Sequence, residues 1–103
     1  MKSLVIACAM LGGLALGTGV EANEKLAQSS GCMTCHSVDK KSIGPSYKEV
    51  ADKYRNDKTA AARLFQKVKA GGKGVWGEMQ MPPNAHVKDD DIKTIVQWTL
   101  AIK

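Results

Sequence analysis

Apolar residues crowd the start of the chain, from Leu4 to Leu16, and are then dealt out at regular intervals. Tyr47, Val50, Ala51 and Tyr54 recur at i, i+3, i+4 and i+7, a spacing that predicts a helix over Ser46–Arg55. Gly44-Pro45 is the turn before it, and Ser46 is the expected cap. A further helix opens at Thr59, turns Ala61, Leu64, Phe65 and Val68 inward, and stops at Gly71-Gly72. The last runs from Asp89 to Ala101 with Ile92, Ile95, Val96 and Thr99 on one face. Its three leading aspartates suit the positive end of a helix dipole. A short helix over Glu24–Cys32 completes the set. No segment alternates with a period of two, and no repeat appears. The pattern predicts an all-α domain of about four short helices. Between Gly71 and Lys88, "GGKGVWGEMQMPPNAHVK" holds four glycines and two prolines and fits no regular element. A loop that long in so small a domain is usually functional.

The leading apolar run changes the domain count. It follows Lys2, is too short to span a bilayer, and precedes Val20-Glu21-Ala22, with small residues at the two positions a signal peptidase reads. We therefore expect a signal peptide over residues 1–22, cleaved after Ala22, and a domain over residues 23–103; the alternative is a retained anchor. "VIAC" at Val5–Cys8 has too little apolar sequence before it to act as a lipoprotein signal. Export predicts a periplasmic protein without stable membrane insertion, in an oxidising compartment. Cys8 leaves with the leader, so only Cys32 and Cys35 remain.

The net charge of +5 suggests acidic partners. Charges alternate in sign and form no polybasic tract, which argues against nucleic acid. The mature domain is short, and chains near about 70–80 residues rarely gain enough stability from a core alone. With one Phe, two Trp and two Tyr, something other than side chains should fill the centre.

Three chemistries compete for "CMTCH", Cys32 to His36. A thioredoxin-like dithiol needs a βαβ unit, and no strand is visible. A Cys₂His₂ zinc site would need Cys32, Cys35, His36 and His86, but adjacent Cys35 and His36 cannot easily turn onto one tetrahedral ion. The third is c-type haem attachment, for which C-x-x-C-H is the signature. One turn of chain presents both sulfurs to two vinyl groups on one porphyrin edge. The next residue then lies beneath the ring, where its imidazole reaches iron. For the second axial position the candidates are Met33, Met79, Met81 and His86, with the lysines behind them. Met33 sits inside the CxxC turn and cannot reach the other face, and His86 lies in a polar loop. Met81 is favoured over Met79 because Pro82-Pro83 hold it extended, but the spacing leaves both open. Either gives His/Met ligation, which raises the reduction potential.

The stretches "CMTCH", "IGPSYKEVADKY", "GVWGEMQMPPN" and "DDDIKTIVQW" resemble those of the short class I bacterial cytochromes c, over nearly all of residues 23–103. The resemblance implies that fold wrapped around one covalent haem c with its iron, and a long Gly/Pro-rich loop carrying the distal ligand. It implies thioethers at Cys32 and Cys35, His36 as proximal ligand and Met81 as distal ligand. It places Pro45 where a carbonyl accepts the other imidazole N–H of His36, and Trp76 where an indole bonds a propionate. Asn84 falls on a donor to the methionine sulfur, and Trp98 on core packing. Lys67 stands where relatives carry arginine near a propionate, so a bidentate clamp becomes a point charge. Lys88 stands where a serine would cap the last helix, so the cap is expected to shift to Asp89.

The implied function is a periplasmic one-electron carrier of a respiratory chain, monomeric and not an enzyme. Its partners would be redox proteins (a reductase, an oxidase or a membrane cytochrome complex) docking at an exposed haem edge. Met33, Thr34, Ile43, Gly44, Pro45, Gly74, Val75, Pro82 and Pro83 should frame that edge, with Lys40, Lys41, Lys48 and Lys73 further out. The alternative is a haem protein whose distal site opens, peroxidase-like or gas-sensing.

Overall fold

A capping box starts the second helix of the computed structural model, which describes residues 18–103. Ser46 Oγ accepts from the Glu49 N–H at 3.0 Å, and Glu49 Oε1 accepts from the Ser46 N–H at 2.9 Å. Two of the orphan donors of a helix start are satisfied reciprocally. This helix, α2, spans Tyr47–Lys53, flanked by α1 over Thr18–Ser29, α3 over Ala60–Ala70 and α4 over Asp89–Leu100. Cys32–Thr34 forms a single 3₁₀ turn between α1 and α2. Among the described residues there is no strand, only an isolated antiparallel bridge between Gly72 and Met81. The expected leader lies outside the described residues up to residue 17.

Several boundaries differ from expectation. The first helix stops at Ser29 and does not run into Cys32, because Gly31 takes a left-handed φ of 88° that a helix cannot continue through. At its other end it begins at Thr18, ahead of Glu24. The second ends at Lys53, two residues before Arg55, and the chain turns through Asn56 at φ 70°. Thr59 does not cap α3 with its side chain. Asp57 does so from outside: Oδ1 accepts from the Thr59 N–H at 2.9 Å and from the Thr59 hydroxyl at 2.7 Å. Ala61 faces solvent, and Ala60 is the buried alanine of that helix. Asp89 is the first helical residue of α4 and not its cap; Lys88 holds the cap position without a side-chain bond. Asp89 is instead paired with Lys69, tying α3 to α4.

The helix α4 is the hub, packed against α1, α2 and α3. Its buried face comprises Ile92, Ile95, Val96, Trp98 and Thr99, the expected stripe with Trp98 added as core. Two clusters result. Ala27, Tyr47, Ile95 and Trp98 form one, and Val87, Ile92 and Val96 the other, backed by Leu64, Phe65 and Val68. Met33 packs, half-buried, against the first cluster. Burial of apolar surface at about 25 cal/mol per Å² holds these contacts together, but neither cluster closes the middle of the molecule.

Candidate functional site

The middle is a cleft with mostly apolar walls. Cys32, Cys35 and His36 open into it from the 3₁₀ turn, Tyr47 and Val50 from α2, Leu64 and Val68 from α3, and Ile95 from α4. Trp76, Met79, Met81 and Asn84 enter it from the long loop.

The imidazole of His36 is held from behind. Its Nδ1–H donates to the Pro45 carbonyl at 2.7 Å, an atom that can only accept. That bond assigns the proton to Nδ1 and leaves Nε2 as a lone-pair donor, the arrangement that orients metal-binding histidines. Gly44 makes it possible. A Cβ there would lie 2.7 Å from His36 Cε1, so only glycine lets the backbone pass so close. The Gly44 N–H closes the loop on the Cys35 carbonyl at 2.7 Å.

Both cysteines are half-buried and neither is in a disulfide. Burial in apolar surroundings pushes the Cys32 thiol up, with the Tyr47 hydroxyl opposing that shift. Tyr47 itself is 5 % exposed, its ring edge-on to Trp98 at 5.0 Å and tilted against the His36 ring at 5.4 Å. Its buried hydroxyl has no hydrogen-bond partner of normal geometry among the described residues.

The loop methionines differ sharply. Met79 is 69 % exposed, whereas Met81 is half-buried and pinned by its backbone. Its N–H donates to the Gly72 carbonyl at 2.8 Å, and its carbonyl accepts from the Gly72 N–H at 3.0 Å. Gly71, at φ 80°, permits that closure, since a Cβ there would meet the Met81 carbonyl oxygen at 2.6 Å.

Asn84 does not aim at a sulfur here. Its amide donates to the carbonyls of Val68 at 3.1 Å and Pro82 at 3.2 Å, and its N–H to Val68 at 3.0 Å. The amide thereby caps the C-terminal end of α3, where carbonyls lack helical partners, and both its side-chain hydrogens are spent. Trp76 lines the cleft at 42 % exposure, with the Lys53 ammonium 5.5 Å above its ring. Lys67 also lines the cleft, folded over Gly72. The site roles of Gly44, Gly71 and Tyr47 are not visible in the sequence pattern, where Gly44 shows only as a turn, Gly71 as a helix stop and Tyr47 as part of the α2 stripe.

The donor set is one aromatic nitrogen with its tautomer fixed, two thiols at one end of the cleft, and a thioether. No group of three or more His, Cys, Asp or Glu gathers as a metal site among the described residues, so the zinc arrangement is not built. A planar macrocycle with apolar faces fits the walls, and the donors fit an iron ion.

The helices, the cleft and this donor set define a haem-binding all-α electron-transfer domain. The chain belongs to the cytochrome c family, whose model matches residues 20–103. It is 57 % identical to cytochrome c-551 of Allochromatium vinosum, over 75 % of this chain and 82 % of that one. To cytochrome c-552 of Hydrogenobacter thermophilus it is 44 % identical, over 99 % and 98 %. The crystal structure of Nitrosomonas europaea cytochrome c552 superposes with a TM-score of 0.75 at 42 % identity, covering 78 % of this chain and 99 % of that one. The fold is that of class I cytochromes c, and the group it carries is one covalently attached haem c with its iron. The protein is a small electron carrier that exchanges electrons with redox partners, and it is not an enzyme. The peroxidase-like or gas-sensing alternative is not favoured.

Proposed function

We propose that this carrier works in the periplasm, with residues 1–22 removed as a signal peptide and residues 23–103 as the working domain. Cys32 and Cys35 would hold the haem covalently, and His36 and Met81 would ligate its iron. The observation that carries the assignment is the contrast between two tethered donors, His36 and Met81, and the exposed Met79. Haem supplies a one-electron couple between ferrous and ferric iron. The chain's own residues do the rest. The Pro45 carbonyl fixes the imidazole, and the Gly72 bridge holds the methionine, so neither ligand needs to reorganise as charge changes. Trp76 and Lys67 would bind the propionates. Asn84 holds the loop against α3. No helix among the described residues is long and apolar enough to cross a membrane.

Electrons would leave through the face where Ile43 and Val75 are 54 % and 44 % exposed. Exposed Lys40, Lys41, Lys48 and Lys73 accompany them. An apolar centre with basic neighbours suits a transient contact, which buries less than about 1,200 Å². Charge steers the encounter and apolar contact seats it. Val75→Glu should slow transfer to an acidic redox partner at every salt concentration. Lys73→Glu should slow it chiefly at low ionic strength, where charges are poorly screened. Stopped-flow rates across a salt series decide this. If Val75→Glu has no effect, the docking face lies elsewhere.

A further inference from the structure

Three buried polar side chains lie around the cleft, and two are satisfied. Ser46 sits in its capping box, and the Thr99 hydroxyl donates to the Ile95 carbonyl at 2.8 Å. The Tyr47 hydroxyl alone has no partner. A buried hydroxyl without a hydrogen bond is destabilising, and phenylalanine would fill the same space without that penalty. Packing therefore explains the ring of Tyr47 and not its oxygen.

The nearest chemistry is Cys32, which packs against the cluster containing Tyr47. Both residues line the cleft, and no hydrogen bond of normal geometry reaches the hydroxyl among the described residues. Both groups carry a hydrogen. Once Cys32 is bonded through carbon to haem, its S–H is gone and its sulfur can only accept, which leaves donation from the phenol as the one direction a bond between them can take.

We propose that the Tyr47 hydroxyl is a positioning residue that donates a hydrogen bond to the haem-linked sulfur of Cys32 and thereby tunes the reduction potential. This rests on Cys32 being a point of haem attachment. Donation draws electron density from a sulfur joined to the porphyrin edge, which favours the electron-rich ferrous state and raises the potential. The phenol is well placed to hold this geometry, clamped between His36 and Trp98 with its helix start fixed by the capping box.

The test is Tyr47→Phe in the full holoprotein, read by protein-film voltammetry and thermal melting. A normal covalent-haem spectrum with a lower midpoint potential and a lower melting temperature is the expected result. A normal spectrum with an unchanged potential overturns the proposal, and a rise in melting temperature identifies the hydroxyl as a simple orphan. Failure of the attachment assignment shows differently, as wild-type protein from which acid-acetone extracts the haem. Should the variant not assemble, proton NMR of the wild-type ferrous holoprotein decides. A Tyr47 hydroxyl resonance protected from solvent exchange supports the bond, and a rapidly exchanging hydroxyl contradicts it.

Discussion

Gly71 adopts φ 80°, and a Cβ there would lie 2.6 Å from the Met81 carbonyl oxygen and 2.9 Å from the Pro83 nitrogen. Both obstacles are backbone, so neither can swing aside. Gly71→Ala should therefore strain the left-handed turn and push Met81 off its bridge with Gly72. The expected loss exceeds about 1 kcal/mol, beyond the usual effect of a compatible Gly→Ala change. Chemical denaturation of the holoprotein measures it, and equal stability of variant and wild type would show that the bridge does not constrain Met81. The sequence made the glycine visible only as a helix stop. Its contact partner is ten residues away and depends on how the loop returns. Cys32, Cys35 and His36 were legible for the opposite reason: their spacing is local, and one turn of chain suffices to gather them. The bonds of Asn84 were not legible because the Val68 carbonyl that takes its amide belongs to another element. The same holds for Met33, which the first core cluster draws in.

At the scale of elements, α3 shows how one exposed carboxylate organises a helix start. Bonds from the Thr59 hydroxyl and the Thr59 N–H, with Arg63 alongside, hold the Asp57 carboxyl below its ordinary value of 3.8. A carboxyl depressed on folding adds stability above its unfolded pKa, and that stability is lost as pH falls through the lower folded value. Asp57→Asn should be less stable than wild type near neutral pH, with the gap shrinking once pH drops below about 4. Urea melts at several pH values give the comparison, and a gap independent of pH would mean the ionised form is not what caps the helix. Helix existence was readable from apolar spacing at α2, α3 and α4. Ends were less so, because Gly31, Asn56 and the Asp57 cap act through backbone dihedrals that periodicity does not encode.

For the whole molecule, the two core clusters leave the centre to the cofactor. A domain this short buries too little surface to stand alone, so haem attachment should be coupled to folding. Cys32→Ala combined with Cys35→Ala, expressed with export, should give disordered chain by circular dichroism, and a compact apoprotein with a cooperative melt would contradict this. The central claim, however, is that His36 and Met81 together hold the iron of an electron carrier. It is tested most directly by the far-red sulfur-to-ferric-iron charge-transfer band of the oxidised holoprotein. With His36 and Met81 on the iron, the band is present in wild type and in Met79→Ala and lost in Met81→Ala, whereas a wild-type spectrum without it, or its loss with Met79 instead, would contradict the ligation.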